Sequence, residues 1–312
     1  MTRPATTTST TMLPTIDFAP GAHSNPGAAL DHSLHQLGFA QVSNIGIDQQ
    51  LLAQVFATSR EFFLGPQAAK DGCRYRSAAE NFGYQGLFDE NLDPDAPADI
   101  KESLTLRNII HQPPSLERWP SPAFRDLMQA FFADAFAAAK RLQVVIAEQL
   151  GVAGDYFTRR HCGECTSLRL LYYPHDLQHQ LQAGQLGAGA HCDYGFITLL
   201  FQDEIGGLQV QNRQGAWLNI PPQAGSVVIN SGDLLERWSN GRYRSTPHRV
   251  EAKLGQQARQ SIALFVDPDS STLVAPLPTC TGPDNPARYP PITAAEHLHN
   301  KLSATHKQRF EA

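Results

Sequence analysis

The chain has 312 residues, 41% hydrophobic and 18% charged, which suffices for one large core or a core with a helical annex. Its 25 Lys+Arg against 30 Asp+Glu give a net charge of −5 with no block of like charges, so no basic footprint for nucleic acid or an anionic membrane is present. No apolar run approaches the roughly 18 residues of a bilayer span.

In chain order, the Thr-rich start MTRPATTTSTTM lacks the apolar core of a signal peptide. It predicts a disordered leader over 1–12 and a cytoplasmic protein. LPTIDF (13–18) reads as a short strand. Residues 26–39 and 48–63 carry Leu30, Leu34, Leu37 and Leu51, Leu52, Val55, Phe56, Phe62, Phe63 at helical spacing, with FAQV between them as a strand. The Gly-, Pro- and Asp-rich segment 70–120 reads mostly as loop. Residues 123–151 form the most convincing helix, with room for one break, ending at Gly151. From about 165 the texture changes. SLRLLYY, FITLLF, GLQVQ, AWLNI, SVVIN, HRVEA and SIALFV follow one another between turn residues, and 293–310 reads as a closing helix. Helices first and short strands afterwards predict an α+β chain: a mostly helical region over 13–160, a closed or sandwiched β core over 161–292 and a C-terminal helix over 293–312. Five scattered cysteines (Cys73, Cys162, Cys165, Cys192, Cys280) argue against a disulfide framework, and Cys162 and Cys165 are read as free thiols because no second pair completes a zinc site.

His191-Cys-Asp193 opens a strand-like segment. Residues two apart on a strand share a face, roughly 6–7 Å apart along the chain, so both side chains reach toward one ion while Cys192 points away. His248, in STPHRV, is the candidate third ligand. Two imidazoles and a carboxylate on one face of an octahedron suit non-haem Fe(II), which needs open positions for a co-substrate and O2. Further on, Arg259, Ser261, Ala263 and Phe265 share one face of RQSIALFVDP by the period of two. An inward Arg beside a Ser is costly unless it meets an anion, and a guanidinium fork suits a carboxylate.

AHCDYGFITLLFQDEIGGLQV, GAWLNIPPQAGSVVINSGDLLERWSNGRYRSTPHRV and RQSIALFVDP together resemble the isopenicillin N synthase-like family of Fe(II)/2-oxoglutarate-dependent dioxygenases and related oxidases. LPTIDF and LGFAQVSNIGI resemble its N-terminal region. The resemblance implies a double-stranded β-helix (jelly-roll) core with flanking helices. It implies iron on His191, Asp193 and His248, and the distal carboxylate of 2-oxoglutarate on Arg259 and Ser261. Tyr173 falls on a tyrosine that adds a hydroxyl to that carboxylate or to substrate. Leu171 stands where plant members usually carry Asn, which puts the accessory co-substrate contact in doubt.

The implied reaction is decarboxylation of 2-oxoglutarate to succinate and CO2, coupled by O2 to oxidation of an unactivated C–H, most simply hydroxylation. No dedicated general base is needed. On the substrate side, Arg169 shares a strand face with Leu171 and Tyr173, which predicts a partner carboxylate on a small-molecule substrate; the alternative is a salt bridge inside the barrel. Phe265 falls on a position that stacks against aromatic substrates, with Asp267 just beyond. The loop RYRSAAENFGYQGLF (74–88) is the expected lid, with Tyr75, Asn81, Phe82 and Tyr84 as contacts. Two other readings stand beside this one. An oxidase of the same family would use Arg259 and Ser261 to grip the substrate's own carboxylate, without 2-oxoglutarate. A non-catalytic jelly-roll binding protein would be expected to have lost a ligand or the Arg, and all five positions are intact.

Overall fold

Period-two alternation in the second half of the chain resolves into two sheets. The computed structural model describes residues 9–10, 13–22, 25–93, 95–177, 181–252, 255 and 257–306. The larger sheet has eight strands in the order Thr15–Asp17, Phe39–Ser43, Ser226–Ser231, Ile197–Gln202, Arg259–Val266, Ser167–Tyr173, Glu102–Arg107, Phe82–Gln85. The smaller has five, in the order Ser9–Thr10, Trp217–Asn219, Leu208–Gln211, His248–Val250, Ala188–His191. Together they form the jelly-roll core of an α+β fold.

The two faces of the larger sheet do different jobs. Leu168, Leu170, Tyr172, Leu199, Phe201, Ile262 and Leu264 point toward the helices and join the main core with Leu30, Leu34, Val55 and Phe131. Phe131 meets Phe201 edge-on at 5.3 Å. Each such fully buried side chain contributes about 1.5–3 kcal/mol. The alternate residues face the smaller sheet: Leu171, Tyr173 and Ala263 form one buried cluster with Ala188 and Val250. That interior carries the polar residues of interest.

The long helix Pro122–Gln149 starts on Ser121, whose side chain accepts from Phe124 N, and runs 28 residues without a break. The helix Pro26–Leu37 is capped by Asn25 and ends at Gly38, φ 74°. A Cβ there would lie 2.2 Å from Arg244 O. Only glycine lets this helix end abut the segment leading to His248, where Thr246 Oγ1 donates to Leu37 O at 2.7 Å.

The structure sharpens these expectations. The segment 70–120 is mostly loop, as expected, but two strands inside it, Phe82–Gln85 and Glu102–Arg107, extend the larger sheet. Their interior faces are polar (Gln85, Ser103, Thr105, Arg107), so apolar patterning is weak there. Four of the eight strands come from before residue 160: the two expected at LPTIDF and FAQV, and these two. Of residues 1–12, Ser9–Thr10 pair in parallel with Leu218–Asn219, and the remainder of the expected leader lies outside the described residues. The closing helix runs Ala294–His306.

Candidate metal centre and active site

His191 ends the strand Ala188–His191 and lies directly opposite His248 in the antiparallel ladder. Their ring centroids are 4.3 Å apart. Asp193 does not sit on the same strand as His191, as alternation predicts; it lies in the connection that leads to Ile197–Gln202 of the other sheet. The chain turns there because Gly195 and Gly232 let two backbones touch: a Cβ on Gly232 would lie 2.4 Å from Gly195 O.

Each ligand is aimed by a second contact. His191 Nδ1 meets Gly189 O at 2.8 Å and His248 Nδ1 meets Thr246 O at 3.2 Å, so both rings donate through Nδ1 and turn the Nε2 lone pair inward. Asp193 Oδ2 accepts from Thr198 Oγ1 at 2.5 Å and Asn230 Nδ2 at 2.6 Å. Its other oxygen, Oδ1, faces both Nε2 atoms at 3.8 Å. That separation is too long for a hydrogen bond and fits donors converging on a shared ion. The three ligand atoms lie within 4.8 Å of one another. Burial, reinforced by the neighbouring His248, pushes His191 down to about 3, so the ring is neutral at working pH. Burial alone would raise Asp193, but the two imidazoles and the hydrogen bonds from Thr198 and Asn230 hold it below the ordinary range. Two imidazoles and one carboxylate fit Fe(II).

Arg259 is 2% exposed, and its guanidinium lies 4.7 Å over the Tyr173 ring. Nη1 donates to Ser261 Oγ at 3.1 Å and Nη2 to Gln202 Oε1 at 3.0 Å, while Nε is buried without a partner. Among the described residues it forms no ion pair. A buried cation with only neutral partners suits an incoming carboxylate, and Tyr173 stands directly across the ladder from it.

The expected substrate contacts divide. Arg169 faces the interior, but it is paired: Nη2 donates to Glu90 Oε2 and, at 2.9 Å, to Ser103 Oγ. The carboxylate expected on a substrate is therefore supplied by the protein. Phe265 is half-buried on the same face, and Asp267 follows it, pushed up to about 7 by burial and then by Asp193. Tyr75 is half-buried, within the fields of Arg169, Glu90 and Arg107, and its hydroxyl stands 3.5 Å from Asn81 Oδ1. Phe82 and Tyr84 do not join them. Both are 1% exposed on the helix side, where Phe82 packs on Trp119 and Tyr84 donates to Glu102. On a strand, Phe82 and Tyr84 share one face and Gly83 and Gln85 the other, so reading this stretch as a loop hid the parity.

Cys192 turns away from the ligands toward Ser245 O at 3.6 Å, and both Cys162 and Cys165 are free. Thr198, Gln202 and Asn230 were not singled out from sequence, although each is a polar residue at an inward position of an apolar strand, a usable signal. Glu90, Asp99 and Lys101 carried none, because they come from irregular chain.

Comparison with known proteins agrees with this geometry. Residues 164–268 match the 2OG-Fe(II) oxygenase superfamily, and residues 13–122 match the N-terminal region described as non-haem dioxygenase in morphine synthesis. The 2-oxoglutarate-Fe(II) type oxidoreductase hxnY of Emericella nidulans is 30% identical, with 96% of this chain and 91% of that protein covered. The full-length Neurospora crassa T7H, solved with alpha-KG and thymine, superposes with a TM-score of 0.83 at 32% identity, covering 94% of this chain and 97% of that one. JOX2, solved with 2OG, Fe and JA, gives 0.82 at 28% identity, covering 96% and 87%. Paired histidines and Asp193 converging on one point, with a buried Arg259 that forms no ion pair among the described residues, complete the match: the chain belongs to the isopenicillin N synthase-like family of Fe(II)/2-oxoglutarate oxygenases.

Proposed function

We propose that this Fe(II)/2-oxoglutarate dioxygenase hydroxylates an unactivated C–H of a small molecule held inside the barrel between Phe265 and the Arg169 region. His191, Asp193 and His248 hold Fe(II); Arg259 and Ser261, with Tyr173 across the ladder, hold the distal carboxylate of 2-oxoglutarate. When bound, Fe(II) and 2-oxoglutarate supply O2 activation, with succinate and CO2 released. The chain itself orients the substrate C–H, keeps the interior dry and moves no proton of its own, so no residue is assigned as general base. Asp267, Tyr75 and Asn81 line the substrate side.

The observation that carries this reading is the uncompensated Arg259 guanidinium on the same interior face as the ligand cluster. The oxidase alternative would leave that cation for the substrate's own carboxylate. The 2-oxoglutarate-bound neighbours and the relatives named 2-oxoglutarate-Fe(II) oxidoreductases favour the co-substrate. Neighbours solved with thymine and 5-formyluracil support a small-molecule substrate. No described helix is long and apolar enough to cross a membrane, and the even charge distribution supports a cytoplasmic enzyme without a nucleic-acid or membrane partner. A small-molecule panel read out by succinate formation, followed by product mass, tests the proposal. Gain of one oxygen with one succinate per turnover is expected, and substrate-dependent oxygen uptake without succinate would refute it.

A further inference from the structure

Two arginines face the barrel interior from neighbouring strands, and the chain treats them oppositely. Among the described residues, Arg259 has only Ser261 and Gln202 as hydrogen-bond partners. Arg169 stands across the ladder from Ala263, four residues further along the same strand, roughly 13 Å away. It is already neutralised. Its Nη2 donates to Glu90 and Ser103, and Glu90 also lies 3.7 Å from Lys101 Nζ, which is paired with Asp99. Arg169, Lys101, Glu90 and Asp99 thus form a buried quartet whose charges sum to zero. Burial would raise Glu90, but Arg169 and Lys101 outweigh it and hold its carboxyl at about 2, so the negative charge is permanent at working pH.

Arg169 and Glu90 are not sealed like Lys101 and Asp99. Their side chains keep 15% and 17% exposure, against 1% for each of the other two. Among the described residues, Arg169 Nη1 and Glu90 Oε1 have no protein hydrogen-bond partner. The pair therefore offers the unpaired guanidinium donors Nη1 and the buried Nε beside one acceptor, with Phe265 two residues beyond Ala263 on the same face. A substrate carboxylate arriving here would find the guanidinium spent and a fixed carboxylate beside it, a like-charge contact in a poorly solvated interior. An amide or lactam edge, C=O next to N–H, meets both free groups and brings no charge to desolvate.

We propose that Glu90 is a specificity-determining residue that converts Arg169 from a carboxylate clamp into a reader of neutral amide or lactam edges, so that the primary substrate is uncharged. This deepens the oxygenase reading and rests on it. The test uses isosteric pairs, p-toluamide with p-toluate and benzamide with benzoate. They are titrated anaerobically into the Fe(II)–2-oxoglutarate enzyme, with binding read from the shift of the chelate absorbance and from calorimetry. Wild type is expected to prefer the amide of each pair by about tenfold or more. Glu90→Gln, which frees the guanidinium, should move that ratio toward the acid by about tenfold or more. The double variant Glu90→Gln/Arg169→Gln guards against misfolding of the unbalanced single variant, and it should not move the ratio. A wild-type preference for the acids, an unchanged ratio in Glu90→Gln, or an equal swing in the double variant would overturn the proposal. The chelate band of the wild type, read before any amide or acid is added, tests the oxygenase reading separately.

Discussion

Asp193 presents one oxygen to the metal position because its other oxygen is held twice, and this anchoring is open to measurement. Thr198→Val removes the 2.5 Å hydrogen bond with little change in shape, and Asn230→Leu removes the 2.6 Å one. A hydrogen bond to a charged acceptor is worth about 1.5–3 kcal/mol, and contacts that orient metal ligands are typically worth about 10–100-fold in affinity. Each single variant should therefore lower Fe(II) affinity at least about tenfold. Because both donors meet the same oxygen, their effects are coupled, and the double variant should fall short of the product of the two. Without those donors the Asp193 carboxyl also rises toward the ordinary range, so the loss should deepen as pH falls. The assay is anaerobic calorimetry with Fe(II), and with Mn(II) as a redox-silent check, supported by circular dichroism to establish folding. A folded double variant that binds metal within about threefold of wild type, less than 1 kcal/mol, would show that the anchoring does not set the site.

Three further outcomes are expected. Arg259→Gln should raise the KM for 2-oxoglutarate about 10–100-fold while leaving metal affinity within a few-fold, measured by succinate formation and metal titration. Tyr84→Phe removes the hydroxyl that donates to Glu102 on the helix side; it should cost about 1–2 kcal/mol in urea unfolding with no change in the KM of any substrate, the opposite of a lid residue's signature. His161 is fully buried against Phe196, with Nδ1 held by Phe157 O, and burial depresses it to about 4. The unfolded chain takes up this proton near 6.5 and the folded chain does not. Stability linked to His161 is therefore complete above 6.5 and is lost as pH falls toward 4, by about 3 kcal/mol in all. His161→Leu should flatten that part of the profile, and identical pH slopes for the two proteins would refute the assignment.

What could be read from the chain alone was whatever repeats or is contiguous. Alternation in RQSIALFVDP and SLRLLYY put Arg259, Ser261, Phe265, Arg169 and Tyr173 on the inward face, and the sheet register brings these residues together there. Helical spacing located the long helix, and the ordered motifs around His191, Asp193 and His248 carried the family resemblance. The same reasoning failed where alternation is not the controlling geometry. Asp193 reaches the metal position from a turn between sheets, and Phe82 and Tyr84 belong to a strand whose polar inner face disguised it.

Tertiary structure alone decided the partners of buried charges. Arg169 looks identical in sequence whether it awaits a substrate anion or is already paired, because its pairing depends on Glu90, 79 positions earlier in irregular chain. Local propensity acts over a few residues, whereas the cost of desolvating a charge is settled by whatever the fold brings within a few ångströms. The chain alone therefore specified the oxidant's ligands and the sheet that carries them. The fold decided that Arg259, and not Arg169, remained free to bind an anion.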